Sequence, residues 1–188
     1  MQPNLKPSQV CLLIIDMINE LQFSGANDLL PQISQTANNI AKLKGRMKAA
    51  QMPIVYVNDN FGRWKSDFNN LVSRCLKEGS RAKSVVEVLI PEQDDYFVLK
   101  PKHSGFYSTP LDLLLRHLEV HRLILTGLLG NSCVLYTAAG AYMRGYEIVV
   151  LSDCIVSMNK DANRVAIEQM QATLNAVISD SDNWESTT

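Results

Sequence analysis

Short apolar stretches recur along the chain and predict buried β-strands. A parallel strand that helices cover on both faces shows no polar alternation, so it appears in the sequence as an unbroken run of Val, Ile and Leu. These runs are VCLLII (10–15), PIVYV (53–57), YFVLK (96–100), RLILT (122–126) and EIVVL (147–151), with a short sixth run at 176–179.

The segments between these runs repeat apolar residues three or four positions apart, which indicates amphipathic helices. We predict helices over 27–48, near 70–77, after Thr109 and over 162–174. Thr109 and Pro110 favour a helix start, because Thr caps well and Pro suits the first helical position. The segment 127–132 predicts a tight turn into a helix of small residues at 133–143.

Alternating strands and helices predict the α/β class, with a three-layer, Rossmann-like fold. Its mostly parallel sheet has five or six strands and helices on both faces. With no internal repeat or linker, we expect residues 1–188 to form a single domain. In such sheets, ligands bind beyond the carboxyl ends of the strands, near the point where strand order reverses. Residues that directly follow strands are therefore the first candidates for chemistry.

Composition excludes several classes of function. Lys and Arg total 18 against 19 Asp and Glu, a net charge of -1, so we expect neither nucleic acid nor a membrane as partner. The polar start and the short run at 10–15 do not fit a signal peptide or a membrane span. The four cysteines show no CxxC pair and no Cys–His cluster, which argues against zinc. We expect a cytoplasmic protein with reduced thiols.

Three residues with chemical potential stand at predicted strand ends. Asp16 follows the first strand, Lys100 closes the third, and Cys133 lies a few residues beyond the fourth. Each has a simpler interpretation alone, because Asp is a common turn residue, a Lys at a strand end is often solvated, and most free cysteines fill cores. Because all three are predicted to lie at one edge of the sheet, together they are candidates for a single active site.

Cys133 is the thiol that its position best activates. The predicted turn delivers it to the N-terminal turn of a helix, where free N–H groups and the helix dipole lower a thiol pKa and bind a developing oxyanion. The other thiols have structural explanations: Cys11 and Cys154 suit the core, and Cys75 is expected to be partly exposed in a surface helix.

The base that serves this thiol stays open at this level. His103, in the loop after Lys100, is one candidate, and a carboxylate assisted by a lysine, Asp16 with Lys100, is the other. His117 and His121 flank the end of the Leu-rich helix, where a cation is favourable for structural reasons.

Four segments of the chain, in this order, are CLLIIDMINEL, VLKPKHSGFYSTPLDLLLR, LILTGLLGNSCVLYTAAGAYMRGY and EIVVLSDCI. Together they resemble the isochorismatase-like cysteine hydrolase superfamily, and the resemblance covers nearly the whole chain. It implies a triad in which Cys133 attacks a carbonyl or related carbon, Asp16 moves protons and Lys100 is the electrostatic partner, with Lys102 as the second candidate lysine. It also implies a homo-oligomer, either a dimer or a tetramer.

The resemblance further implies a non-proline cis peptide bond between Leu128 and Leu129, which turns the N–H groups of Leu129 and Cys133 toward an oxyanion. Nicotinamidase-type members carry an Asp-x-His metal motif after the second strand, whereas this chain reads NDNF at 58–61. We therefore expect no metal and no cofactor. Isochorismatases proper lack the nucleophilic cysteine, so Cys133 favours a covalent mechanism.

The loops above the strand ends supply candidate substrate-binding residues. Their aromatic side chains suit a small planar or apolar amide, although they would equally pin loops or fill a subunit interface. An arginine among them would bind a substrate carboxylate. The candidates are Asn58, Phe61, Arg63, Trp64, Phe106 and Tyr136.

These observations predict a cysteine-dependent hydrolase that cleaves an amide-type C–N bond of a small molecule through a thioester. Two alternatives remain: hydrolysis of an isochorismate-like vinyl ether, and a non-enzymatic binding protein that retains the pocket.

Overall fold

The computed structural model describes residues 10–62, 64 and 67–184. Within these residues, six strands and six α-helices follow one another, with two helices between the second and third strands. The strands are β1 (Val10–Ile15), β2 (Ile54–Asp59), β3 (Tyr96–Lys100), β4 (Arg122–Leu128), β5 (Glu147–Val156) and β6 (Val177–Ser179). The helices are α1 (Ala26–Ala49), α2 (Phe68–Cys75), α3 (Lys83–Glu87), α4 (Leu111–His117), α5 (Leu135–Tyr142) and α6 (Lys160–Leu174).

The strands form one parallel sheet in the order β3-β2-β1-β4-β5-β6. The chain builds outward from β1 to β3, then returns to place β4 on the other side of β1. Strand order therefore reverses between β1 and β4, which is where open α/β sheets bind their ligands. The predicted α/β, Rossmann-like class is confirmed, with six strands.

Helices cover both faces of the sheet, because successive residues of each strand point to opposite sides. In β1, Leu12 and Ile14 pack with α1, α2 and α3, whereas Leu13 and Ile15 pack with α4, α5 and α6. All six residues of β1 are buried, as its unbroken apolar run predicted. Within the described residues, none of the helices combines the length and the apolar character that a bilayer span requires.

The structure differs from the predicted elements where β4 ends. Gly127 and Leu128 belong to β4 and are not part of a tight turn. The helix expected to start at Cys133 begins instead as one π-helical turn over Gly130–Val134, which α5 continues from Leu135. The sequence analysis also missed the five-residue helix α3.

Gly127 adopts a backbone conformation that lets β4 pass close to β1. Its φ of 114° lies outside the range that residues with a Cβ adopt readily, and the pairing with β5 shifts register between Leu125 and Gly127. A Cβ at Gly127 would overlap the backbone carbonyl of Ile15, the residue before Asp16. This close approach of β4 to β1 brings the segments after both strands together.

We expect Gly127→Ala to destabilise the fold by about 3 kcal/mol or more, because the new methyl group meets backbone that cannot move aside and the required φ is strained. Urea unfolding monitored by circular dichroism measures this. Gly45→Ala is the matched control: Gly45 lies inside α1 with open space around its Cα, so alanine there is expected to stabilise by roughly 0.5–1 kcal/mol. Equal unfolding midpoints for the Gly127 variant and the wild-type protein would contradict this explanation.

Candidate active site

The structure brings Asp16, Lys100 and Cys133 together at the carboxyl edge of the sheet. The Lys100 Nζ lies 2.8 Å from Asp16 Oδ2 and 3.4 Å from Cys133 Sγ. Asp16 and Cys133 follow β1 and β4, the two strands that flank the reversal of strand order. Lys100 ends β3, two strands away from β1, and its side chain extends past β2 to reach both partners.

Asp16 is held in place by the turn that ends β1. Its φ of 53° is left-handed, a conformation that Asp tolerates better than most residues. Its backbone N–H donates to the carbonyl of Val57 at 2.9 Å, and its Oδ1 accepts from the N–H of Asp59 at 2.7 Å. Both carboxylate oxygens are therefore engaged, one by β2 and the other by Lys100, while the residue is only 4% exposed.

Lys100 is completely buried, so its ammonium needs negative partners. Asp16 provides one, and Asp59 provides a second with its Oδ2 3.6 Å from Nζ. Lys102, the other candidate lysine, is exposed in the following loop. Sequence reasoning did not single out Asp59 as a site residue, although it ends β2 and thus meets the same strand-end criterion as the other three.

Internal hydrogen bonds and one hydrogen bond to Ser157, the residue after β5, hold the π turn that carries Cys133. The N–H groups of Ser132 and Val134 donate to the carbonyl of Leu129 at 3.0 and 3.2 Å. The N–H of Asn131 donates to Ser157 Oγ at 3.0 Å, and that hydroxyl donates to Asn163 Oδ1 at 2.8 Å.

Gly130 lets these two polar side chains approach the turn. A Cβ at this position would lie 2.6 Å from Asn163 Oδ1 and 2.7 Å from Ser157 Oγ, so no other residue fits without displacing them. Sequence reasoning missed Ser157 and Asn163, because their contacts with the turn arise only when β5 and α6 pack beside it.

The peptide bond between Leu128 and Leu129 is cis. It joins the last residue of β4 to the residue whose carbonyl accepts the two hydrogen bonds of the π turn. The assignment of the Leu129 and Cys133 N–H groups to an oxyanion hole remains a prediction.

The electrostatics of the cluster differ from the expectation for Cys133. Burial raises the pKa of its thiol to about 12, and the neighbouring Asp16 carboxylate adds to this rise, while Lys100 opposes it. The expected lowering by the helix start is therefore wrong: desolvation and a nearby negative charge outweigh it.

The two charged partners are also shifted. Burial raises the pKa of Asp16 above its ordinary value, although Lys100 works against this. Burial alone would lower the pKa of Lys100, but Asp16 and Cys133 together raise it. The resting site thus holds a neutral thiol beside a buried ammonium, with a carboxylate that has a raised affinity for a proton.

The three remaining cysteines are buried in the core, including Cys75, which we had expected to be partly exposed. Cys75 lies on the inward side of α2 in the cluster that packs against α1, because the helix is amphipathic. Burial raises the pKa of Cys75 to about 11 and that of Cys154 to about 12. Among the four thiols, Cys133 alone is partly exposed.

His103 lies beside the nucleophile candidate. Its Nδ1 is 3.7 Å from Cys133 Sγ, and its ring stacks on Tyr136 with centroids 5.6 Å apart. Both rings are exposed, so they form the solvent side of the thiol. His117 and His121 are exposed near the end of α4, where the sequence analysis assigned them a structural role.

The predicted substrate-binding residues separate into two groups. Phe61 and Trp64 are exposed and line a cavity of about 690 Å³ together with Asp59. Asn58 and Phe106 are buried, which argues against direct contact with a substrate. Arg63 lies outside the described residues.

Each buried candidate has a packing role instead. The Nδ2 of Asn58 donates to the carbonyl of Ile18 at 2.8 Å and so holds the segment after β1. Phe106 packs on the ring of Tyr146 and against the helix face at Gly140, beneath Arg144. Asn58 lies within β2 and not in the loop where the sequence placed it, and the loop position of Phe106 did not imply access to the site.

Acidic side chains are present at the site, but the residues that the structure describes contain no cluster of three or more His, Cys, Asp or Glu side chains arranged to hold a metal ion. Asp59, at the position of the metal motif discussed above, faces Lys100.

The six-stranded parallel α/β fold of this chain is shared with known hydrolases. The family model described as "Isochorismatase domain" matches residues 10–182. The chain belongs to the isochorismatase family.

Individual relatives agree with this assignment. The chain is 41% identical over 167 residues to the uncharacterized isochorismatase family protein YaaI of Bacillus subtilis (strain 168), covering 89% of this chain and 91% of that protein. It is 30% identical over 172 residues to the ureidoacrylate amidohydrolase RutB of Pantoea ananatis (strain LMG 20103), covering 78% of this chain and 69% of that one.

Among solved structures, N-carbamoylsarcosine amidase from Thermoplasma acidophilum superposes with a TM-score of 0.74 and 27% sequence identity, covering 95% of this chain and 99% of that chain. The names of this enzyme and of the amidohydrolase both denote hydrolysis of C–N bonds.

Asp16→Asn tests the electrostatic description of the site. Asparagine removes the negative charge that raises the pKa of Cys133 while Lys100 remains, so we expect the midpoint of Cys133 alkylation by iodoacetamide to move to lower pH. At a fixed alkaline pH below that midpoint, the rate should rise about tenfold for each pH unit of displacement. The buried state of the other three thiols makes the reaction selective for Cys133 under native conditions.

Asp161→Asn is the control for this experiment, because Asp161 is an exposed carboxylate at the start of α6. It should leave the alkylation midpoint unchanged. A midpoint that stays in place or moves to higher pH in Asp16→Asn would show that Asp16 does not hold the thiol in its neutral form.

Proposed function

We propose that this isochorismatase-family hydrolase cleaves an amide-type C–N bond of a small molecule through a thioester on Cys133. The observation that carries the proposal is the position of Lys100, whose buried Nζ contacts both Asp16 and the sulfur of Cys133. A thiol, a proton acceptor and a fixed positive charge thereby lie within reach of one another at the edge where the fold binds ligands.

The first half of the reaction forms the thioester. The Cys133 sulfur attacks the carbonyl carbon while its proton passes to Asp16, whose raised pKa suits it to receive a proton. Asp16 then gives this proton to the leaving nitrogen as the C–N bond breaks. Lys100 stabilises the negative charge that moves between the carboxylate and the sulfur. The N–H groups of Leu129 and Cys133 are assigned to the carbonyl oxygen.

A neutral resting thiol is compatible with this sequence of steps. Proton removal is coupled to attack on the carbonyl, so a free thiolate does not need to accumulate. The second half of the reaction is hydrolysis: water adds to the thioester carbon, the C–S bond breaks and the sulfur recovers a proton.

The relatives support a C–N bond as the target. An amidase that acts on an N-carbamoyl compound and an amidohydrolase named for ureidoacrylate both match this chain over more than two thirds of their own length. The cavity beside Asp59 is lined by Phe61 and Trp64 but by none of the three proposed catalytic residues, so it suits a planar or apolar part of the substrate away from the reacting bond.

A substrate panel with Cys133→Ala as its partner variant tests the function. We expect the wild-type protein to release ammonia or amine from at least one small amide, N-carbamoyl or ureido acid. Loss of the nucleophile should reduce turnover of that substrate by a factor of at least about 10⁴. Ammonia release measures the primary amides and ureido compounds, and mass spectrometry detects the acyl group on Cys133.

Cys11→Ala serves as the control variant, since Cys11 lies in the buried interior of β1 and not at its carboxyl end. It should retain activity. Turnover of an amide that survives the loss of Cys133 would exclude the thioester mechanism. Pyruvate release from isochorismate without loss of activity on thiol alkylation would instead favour the vinyl-ether reaction.

A further inference from the structure

The sulfur of Cys133 has two chemically different sides. On the inner side lie Lys100, which is fully buried, and Asp16, which is 4% exposed. On the outer side lie His103 and Tyr136, which are both exposed. Since the inner side is closed by protein and Cys133 is partly exposed, the side of His103 is one from which solvent reaches the sulfur.

The imidazole of His103 is held at this entrance. Its ring stacks on Tyr136 at an interplanar angle of 25°, and its Nδ1 points to the sulfur at 3.7 Å. Two elements contact the His103 ring, and each carries one titratable group beside it. These groups are the Cys133 thiol on the π turn and the Tyr136 hydroxyl on α5. On the side of β3, Lys100 is the charge that contacts the same sulfur.

Asp16 is much less accessible to incoming water than His103 is. Its Oδ1 accepts from the Asp59 N–H and its Oδ2 pairs with Lys100, and the residue has little contact with solvent. These constraints suit a group that exchanges protons with atoms already bound in the site, which are the thiol and the leaving nitrogen. A water molecule that approaches a thioester from solvent would meet the imidazole first.

We propose that His103 is a catalytic residue of the second half of the reaction, the base that activates water for hydrolysis of the thioester. This inference rests on the proposed function. The imidazole takes a proton from water as the C–O bond forms, and the C–S bond breaks to release the Cys133 thiolate beside Lys100. The imidazolium then returns the proton to the sulfur 3.7 Å away, so the site regains its starting state.

The two halves of the reaction can be separated with p-nitrophenyl acetate as the acyl donor. Rapid mixing gives a burst of p-nitrophenolate for acetylation of Cys133, followed by a steady rate set by hydrolysis of the acetyl-enzyme. In His103→Gln we expect the burst to remain and the steady rate to fall by about 100-fold or more, the lower end for general base catalysis. Mass spectrometry should show the acetyl group accumulating on Cys133.

Two further variants control for structure. His117→Gln removes an exposed imidazole at the end of α4, outside the site, so it should hydrolyse the acetyl-enzyme at the wild-type rate. His103→Asn should reproduce His103→Gln. In the wild-type protein the steady rate should fall toward acid pH, because a protonated imidazole cannot accept a proton from water. This fall should be absent from both His103 variants.

The outcomes distinguish the two proposals. A wild-type burst that persists in His103→Gln together with an unchanged steady rate would overturn the role of His103 and leave the thioester mechanism intact. A burst that also occurs in Cys133→Ala, or the absence of an acetyl group on Cys133 in both the wild-type protein and His103→Gln, would contradict the covalent mechanism itself and with it the role of His103.

Discussion

The buried ammonium of Lys100 is the constraint on which the site depends. A charge that the protein removes from water must be matched by opposite charge and hydrogen bonds. Asp16 supplies both at 2.8 Å, and Asp59 adds a second negative charge at 3.6 Å. The same ammonium contacts the sulfur of Cys133. Removing it would leave two carboxylates facing each other and the thiol in a poorly solvated site, so the cation organises the other three groups.

The fold supplies this arrangement through close backbone contacts. Gly127 lets β4 approach the end of β1, and Gly130 lets Ser157 and Asn163 approach the π turn. Cys133 therefore has β1 on one side and the segment that joins β5 to α6 on the other. Because each contact tolerates little displacement, the position of the sulfur follows from the packing of the sheet itself and not from a flexible loop.

Much of this arrangement could be predicted from local patterns. Unbroken apolar runs identified the strands, and the rule that ligands collect at strand ends selected Asp16, Lys100 and Cys133. What failed depends on contacts between distant segments. Phe106 looked like a loop aromatic but packs on Tyr146, and the thiol pKa follows from burial beside Asp16, which no local pattern of residues reports. Ser157 is recognisable only once β5 has been placed beside the π turn.

The raised pKa of Cys133 also bears on how the protein ages. Peroxides and electrophiles attack thiolates far more readily than thiols, and oxidation beyond the sulfenic acid is generally irreversible. A thiol that rests in its neutral form reacts slowly with such reagents. We therefore expect the desolvation of Cys133 to slow its oxidation, and among the residues described the other three cysteines are buried and offer no accessible substitute.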